Sequence, residues 1–191
     1  MNIPRFVLVG LTLVASATPV SAAEESVLPD LTLAATNGQS YSLRKVVSDA
    51  RYTVFVFFSA HCQCLTAHDE RLTQLARDYE AKDVQFFLVD SEVGDALERD
   101  RTEAQRRQYP FPILADPGGR LAQTFGVRFA TTTLVVDSAG NVRYHGGIDS
   151  EKRQPNPLGR FYLKEALSAL LAGKAPDFTE TKSLGCYLRF S

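Results

Sequence analysis

From Tyr52 to Phe58 the chain is almost continuously apolar, rich in β-branched and aromatic residues, and does not alternate. Such a run predicts a strand covered on both faces. Between 65 and 80 the period changes. Leu65, Leu72, Leu75, Ala76 and Tyr79 recur near helical spacing, with Asp69, Glu70, Arg71 and Arg77 on other faces, which predicts a helix. Val84 to Asp90 returns to strand character. Upstream, Leu31–Ala35 and Ser40–Leu43 flank Asn37-Gly38, a hairpin signal. Downstream, the highly charged segment from Glu92 to Arg107 reads as a solvated helix ended by Pro110 and Pro112, with its charges simply at the surface. Gly119–Phe125 is a short helix candidate. Thr132–Asp137 and Val142–His145 form a second hairpin around Ser138–Asn141. After Pro155 and Pro157 a final helix is expected over 158–172, closed by Gly173. The order is ββ, βαβα, ββ, α. Two strand–helix–strand crossovers followed by a hairpin and a helix predict an α/β fold: one mixed sheet flanked by helices, a single domain.

The first residues carry a different pattern. Arg5 is the only charge before an apolar run from Phe6 to Ala17, and Val20-Ser21-Ala22-Ala23 offers cleavage after Ala22 or Ala23. The run is shorter than the ~20 residues a membrane span needs. Residues 1–22 are therefore read as a signal peptide, and the mature protein as periplasmic or extracellular. No cysteine sits at the cleavage point to carry a lipid anchor. The 191-residue chain is 45% hydrophobic and 23% charged, a globular profile, and its net charge of −1 gives no field to draw in nucleic acid or an anionic membrane.

Export places the three cysteines, Cys62, Cys64 and Cys186, where disulfides persist. An odd number cannot pair completely within one chain, so either one thiol is left over or the pairing changes during a cycle. Cys62-Gln63-Cys64 lies where the strand ending near Phe58 gives way to a helix. Unpaired N–H groups of a first helical turn favour a thiolate, and His61 can add positive charge when protonated. Cys62 is the expected nucleophile, provided that it is exposed enough to react. Cys64, two residues on, would close a small strained ring with it, a labile disulfide rather than a staple. Cys186 lies in a tail, 173–191, which can fold back and present it as a resolving thiol. Read on its own, it is an idle tail cysteine or a link to another chain.

Phe57-Phe58-Ser59-Ala60-His61-Cys62, the strand–helix order, and Phe125-Gly126-Val127 leading to Leu134–Asp137 resemble the thioredoxin-like redoxin family. That group includes thioredoxins, thiol-disulfide oxidoreductases and peroxiredoxins, and the resemblance covers about residues 27–172. It implies a thioredoxin-like sheet, and protein or small-molecule thiols and disulfides as partners. Some positions depart from the family patterns. One residue separates the cysteines where thioredoxins have two, so Leu65 takes the usual second position. Thr131 stands where thioredoxins place a cis-proline, and the bond before it is expected to be trans. Of three peroxiredoxin markers, Ser59 matches the hydroxyl three before the cysteine, while Phe55 and Thr131 replace the proline and the arginine; Arg128 is nearby but offset.

The leading expectation is an exported thiol-disulfide oxidoreductase using Cys62, Cys64 and Cys186, with no cofactor, since no Gly-rich phosphate loop is visible. Two alternatives share the fold. One is a thiol peroxidase. The other is a copper- or metal-binding accessory protein: Cys64 and His68 are four apart on one helix face and both are soft or borderline ligands. The chain also resembles copper-delivering proteins of this fold, which combine two cysteines on this loop, usually with a longer gap between them, with a distant histidine, here His145 at a strand end. By themselves, His68 reads as a surface histidine and His145 as an ordinary strand residue.

Overall fold

The computed structural model describes residues 27–94, 97–154, 156 and 158–190. The signal-peptide reading of residues 1–22 lies outside these described residues. Among the described residues thirteen elements follow in order. A small antiparallel pair, β1 (Thr32–Ala34) and β2 (Ser40–Ser42), is closed by the Asn37-Gly38 turn, with Leu33 opposite Tyr41 and Gly38 at φ 80°. Helix α1 (Leu43–Ser48) follows at once and buries Leu43, Val46 and Val47. These stand at i, i+3 and i+4, one helical face.

The main sheet has five strands in the order β5–β4–β3–β6–β7. Its centre is β3 (Tyr52–Phe58), buried from Thr53 onward as its unbroken apolar run requires. β3 pairs in parallel with β4 (Val84–Asp90), bringing Phe58 opposite Asp90, and β4 pairs in parallel with β5 (Ile113–Ala115). On its other side β3 lies antiparallel to β6 (Thr133–Asp137), which is paired antiparallel with β7 (Val142–Gly146). The sheet is therefore mixed, as expected. Phe55 stacks on Phe87 with ring centroids 5.9 Å apart, inside a continuous core that also takes Leu72, Leu75 and Tyr79 from α3 (Asp69–Glu80) and Leu163, Ala166, Leu167 and Leu170 from α6 (Tyr162–Leu171). The remaining helices are α2 (Gln63–Thr66), α4 (Leu97–Arg106) and α5 (Arg120–Thr124). No helix among the described residues is long and apolar enough to cross a membrane.

Two helix boundaries and the burial of the charged segment differ from the sequence expectation, and β5 and α1 were not expected. The single helix expected over 65–80 is two, α2 and α3, parted at Ala67-His68. His68 donates from ring Nδ1 to the Cys64 carbonyl at 2.6 Å, and its backbone N–H turns instead to Leu65 O at 2.8 Å. The ring thus takes the acceptor that continuous α-helix would have used. The last helix begins at Tyr162 rather than Leu158, because Arg160 is held in a loop: Ser150 N–H donates to Arg160 O, and Arg160 N–H to Ser150 Oγ, both at 2.9 Å. The charged segment is also more than a solvated face. Asp100 is fully buried, and the Arg107 side chain is only 3% exposed.

After α6 the chain does not trail away. His145 N–H donates to Thr179 O at 2.8 Å and Thr181 N–H to His145 O at 3.2 Å, laying this stretch parallel along the free edge of β7. Farther on, Cys186 O accepts from Ala130 N–H, Leu188 N–H donates to Arg128 O, and Arg189 O accepts from Val93 N–H, at 2.8–2.9 Å. Residues 185–190 thus form a strap across the C-terminal end of β3. Leu188 is buried beneath it, and Tyr187 packs on Phe129 with centroids 4.4 Å apart.

Candidate functional site

β3 ends at Phe58, and a turn through Ser59, closed by Cys62 N–H to Ser59 O at 3.1 Å, delivers Cys62 to the N-cap position of α2. Its extended backbone (φ −82°, ψ 101°) turns the sulfur back over the first turn, where Leu65 N–H donates to Sγ at 3.4 Å. α2 has only four residues, so its macrodipole is weak. A second donor comes from far away in sequence: Cys186 N–H also points at Cys62 Sγ, at 3.4 Å. Cys64 sits one position into the helix, buried. The sulfurs of Cys62, Cys64 and Cys186 all lie within 4.8 Å of one another, and all three thiols are free.

Access differs from the sequence expectation. Cys62, expected to be exposed, has no exposed surface, because the strap lies directly on it. Cys186 is the most exposed of the three. Burial, a hydrogen bond to Cys62 and the neighbouring sulfurs push its thiol up to about 11, so Cys186 keeps its proton at neutral pH. His61 is exposed and stands outside the sulfur group.

The strap can lie this close because residue 185 is glycine. A Cβ there would run into the backbone carbonyl of Ala130, with Thr131 Oγ1 2.9 Å away. Thr131 itself adopts φ 71°, rare for a β-branched residue, and its buried Oγ1 has no hydrogen-bond partner. The peptide bond before it is trans, as expected. Sequence reading missed both features. Gly185 beside Cys186 was the only signal available.

Two charged networks hold the loop around the cysteines. Arg107 donates to Ala60 O at 3.0 Å, and its guanidinium also meets Glu103 at 2.8 Å and Asp69 at 3.3 Å. Tyr109 donates to the same Asp69. Burial raises the Asp69 pKa, whereas the Arg106 hydrogen bond holds Glu103 down at about 2. At the end of β4, the buried Glu92 accepts from Arg189 N–H at 3.3 Å and so ties down the strap.

The two histidines weighed as ligands are placed elsewhere. His68 is buried, not a surface residue, and both ring nitrogens are engaged, Nδ1 with Cys64 O and Nε2 with Asp149 Oδ1 at 2.9 Å. Asp149 also pairs with Arg71. Burial is the largest influence on His68 and lowers its pKa. His145 is likewise lowered by burial, and its backbone holds the tail; neither histidine joins the sulfur group.

Residues 25–145 match the AhpC/TSA family. A search of curated proteins found no match. Among solved structures, an uncharacterized conserved protein from Geobacillus kaustophilus is 27% identical, with a TM-score of 0.78 over 87% of this chain and 92% of its own. A hypothetical protein from Sinorhizobium meliloti is 24% identical, with a TM-score of 0.77 over 90% of this chain and 97% of its own. A secreted disulfide oxidoreductase from Mycobacterium tuberculosis shares the fold at 16% identity, with a TM-score of 0.55 over 75% of this chain and 96% of its own.

Proposed function

The chain belongs to the AhpC/TSA family, whose match spans 25–145, and from that premise we propose that it performs thiol–disulfide exchange through Cys62, Cys64 and Cys186. The observation that carries this reading is the meeting of three free sulfurs within 4.8 Å, one of them receiving two backbone N–H groups. Both donors point at the sulfur proposed to attack. Once the strap has opened, the Cys62 thiolate attacks a substrate disulfide: a bond forms from Cys62 Sγ to one substrate sulfur, and the substrate S–S bond breaks. The departing thiolate takes a proton from solvent. Cys64 or Cys186 then loses its thiol proton to solvent and attacks Cys62 Sγ, expelling the second substrate thiolate, which is protonated in turn. The substrate gains two electrons, and the protein is left with one disulfide. Run backwards, the same steps oxidise a dithiol.

The N-terminal pattern supports action outside the cytosol, where that disulfide persists. A fold neighbour described as a secreted disulfide oxidoreductase is in keeping with this. Peroxidase chemistry has less support. Among the described residues, the hydrogen-bond donors to Cys62 Sγ are the backbone N–H groups of Leu65 and Cys186, and no arginine is one of them.

The test is acid-trapping followed by peptide mass spectrometry, on protein recovered from the cell envelope or medium and equilibrated across dithiol/disulfide ratios. The expected outcome is a chain lacking residues 1–22 or 1–23, with a reversible disulfide that always includes Cys62 and that Cys62→Ser abolishes. Cys62 remaining a free thiol at every ratio would refute the exchange.

A further inference from the structure

We propose that Cys62, Cys64 and Cys186 also form a trithiolate site for a soft monovalent cation, Cu(I). This does not require the exchange reaction, since it concerns the reduced protein alone.

Geometry comes first. A metal about 2.3 Å from each of three sulfurs needs those sulfurs about 3.8–4.0 Å apart. The three Sγ atoms already lie within 4.8 Å, so side-chain adjustments of a few tenths of an ångström close the ring. Two of the three are buried, which keeps water from competing, and the strap supplies the third from the open side. The N–H groups of Leu65 and Cys186 that reach Cys62 Sγ serve as outer-shell donors, orienting a ligand and offsetting its charge.

The donor set then chooses the ion. All three ligands are thiolates, which select Cu(I), zinc or iron–sulfur clusters over harder cations. Zinc takes four ligands in closed structural sites. Among the described residues no histidine or carboxylate joins the group, and His68, the nearest candidate in sequence, has both nitrogens committed. Three soft ligands without a fourth suit Cu(I). Each thiol that coordinates releases its proton to solvent, and no electron is transferred. The metal-bound state and any disulfide among these cysteines exclude each other, because both use the same sulfurs.

The experiment titrates the reduced full chain anaerobically with Cu(I) against a chromogenic Cu(I) chelator and measures X-ray absorption on the product. The expected result is one equivalent of copper with three sulfur scatterers and no nitrogen. Cys186→Ser, at the exposed position, should weaken binding by more than about 100-fold, beyond the usual effect of losing an outer-shell partner. Cys64→Ser should do the same. A nitrogen ligand, a two-sulfur site, unchanged affinity in Cys186→Ser, or zinc retained against equimolar Cu(I) would each overturn the assignment. Failure here leaves the trapped-disulfide result untouched, and the reverse also holds, so the two readings fall separately.

Discussion

The residue on which most depends chemically is Cys62, and the one on which its setting depends is Gly185. Cys62 gains one N–H donor from its own helical turn and one from far along the chain: Leu65 by local N-cap geometry and Cys186 by a contact spanning 124 positions. The second donor exists only while Gly185 lies flat on Ala130. Gly185→Ala therefore forces either the strap or the 128–131 segment to shift, a clash of the kind that costs about 1–3 kcal/mol. The expected outcome is a loss of stability of that size in urea unfolding, together with faster alkylation of Cys62 in the native protein. Unchanged alkylation would mean that the strap does not shield the sulfur. Thr131, strained at φ 71° and with an unpartnered hydroxyl, sits against this same contact. A bulkier neighbour therefore has little slack to use.

Among the elements, α4 carries a buried acidic pair. Asp100 on α4 faces Asp90 at the end of β4, with Arg99 bridging them at 2.6 Å to Asp90 and 3.4 Å to Asp100. Burial, and then the Asp90 charge, push Asp100 up to about 8 from an ordinary value of 3.8. Between those values the folded state holds a proton that the unfolded chain has released, so stability falls as pH rises from about 4 to 8. The slope is bounded by one proton, about 1.4 kcal/mol per pH unit. Asp100→Asn should flatten that decline in denaturation midpoints measured at pH 5, 6, 7 and 8; an equal decline in the variant would assign it to other groups. Sequence patterning read α4 as surface because its charges outnumber its apolar positions, and only tertiary packing buries Asp100 and Arg107. The strands β3, β4, β6 and β7 and the first hairpin were legible because their apolar runs and turn residues are local signals. β5 was missed because a strand of three residues, lying between Pro112 and Pro117, shows no period. α1 was missed, because Leu43 was read as the end of the hairpin and the six-residue helix that follows is too short for a clear period. The break between α2 and α3 was not legible, since it rests on a His68 ring fixed by Asp149, 81 positions away. The Cys62–Cys64 pair was visible in the sequence. The arrival of Cys186 was not, because it depends on backbone hydrogen bonds from a tail without regular secondary structure.

Across the whole molecule, the sheet builds the reactive loop and the C-terminal strap covers it, so access to Cys62 is a conformational question. The strap is held by a few backbone hydrogen bonds, the Glu92–Arg189 contact, the burial of Leu188 and the packing of Tyr187 and Phe190, which is less than the core that supports β3. Elements with few buried contacts open locally at a fraction of the global unfolding free energy. Reaction at Cys62 should then follow opening. In a variant whose only cysteine is Cys62, made with Cys64→Ser and Cys186→Ser, the rate with an aromatic disulfide reagent should rise with reagent concentration and then level off at the opening rate. Ending the chain after Lys182 removes the strap but keeps Thr179 and Thr181 on the edge of β7. That truncation should restore a rate proportional to reagent throughout and leave the far-ultraviolet circular dichroism nearly unchanged. A strictly linear dependence in the full-length variant would show that Cys62 reacts without any opening, and that the cover offers no gate.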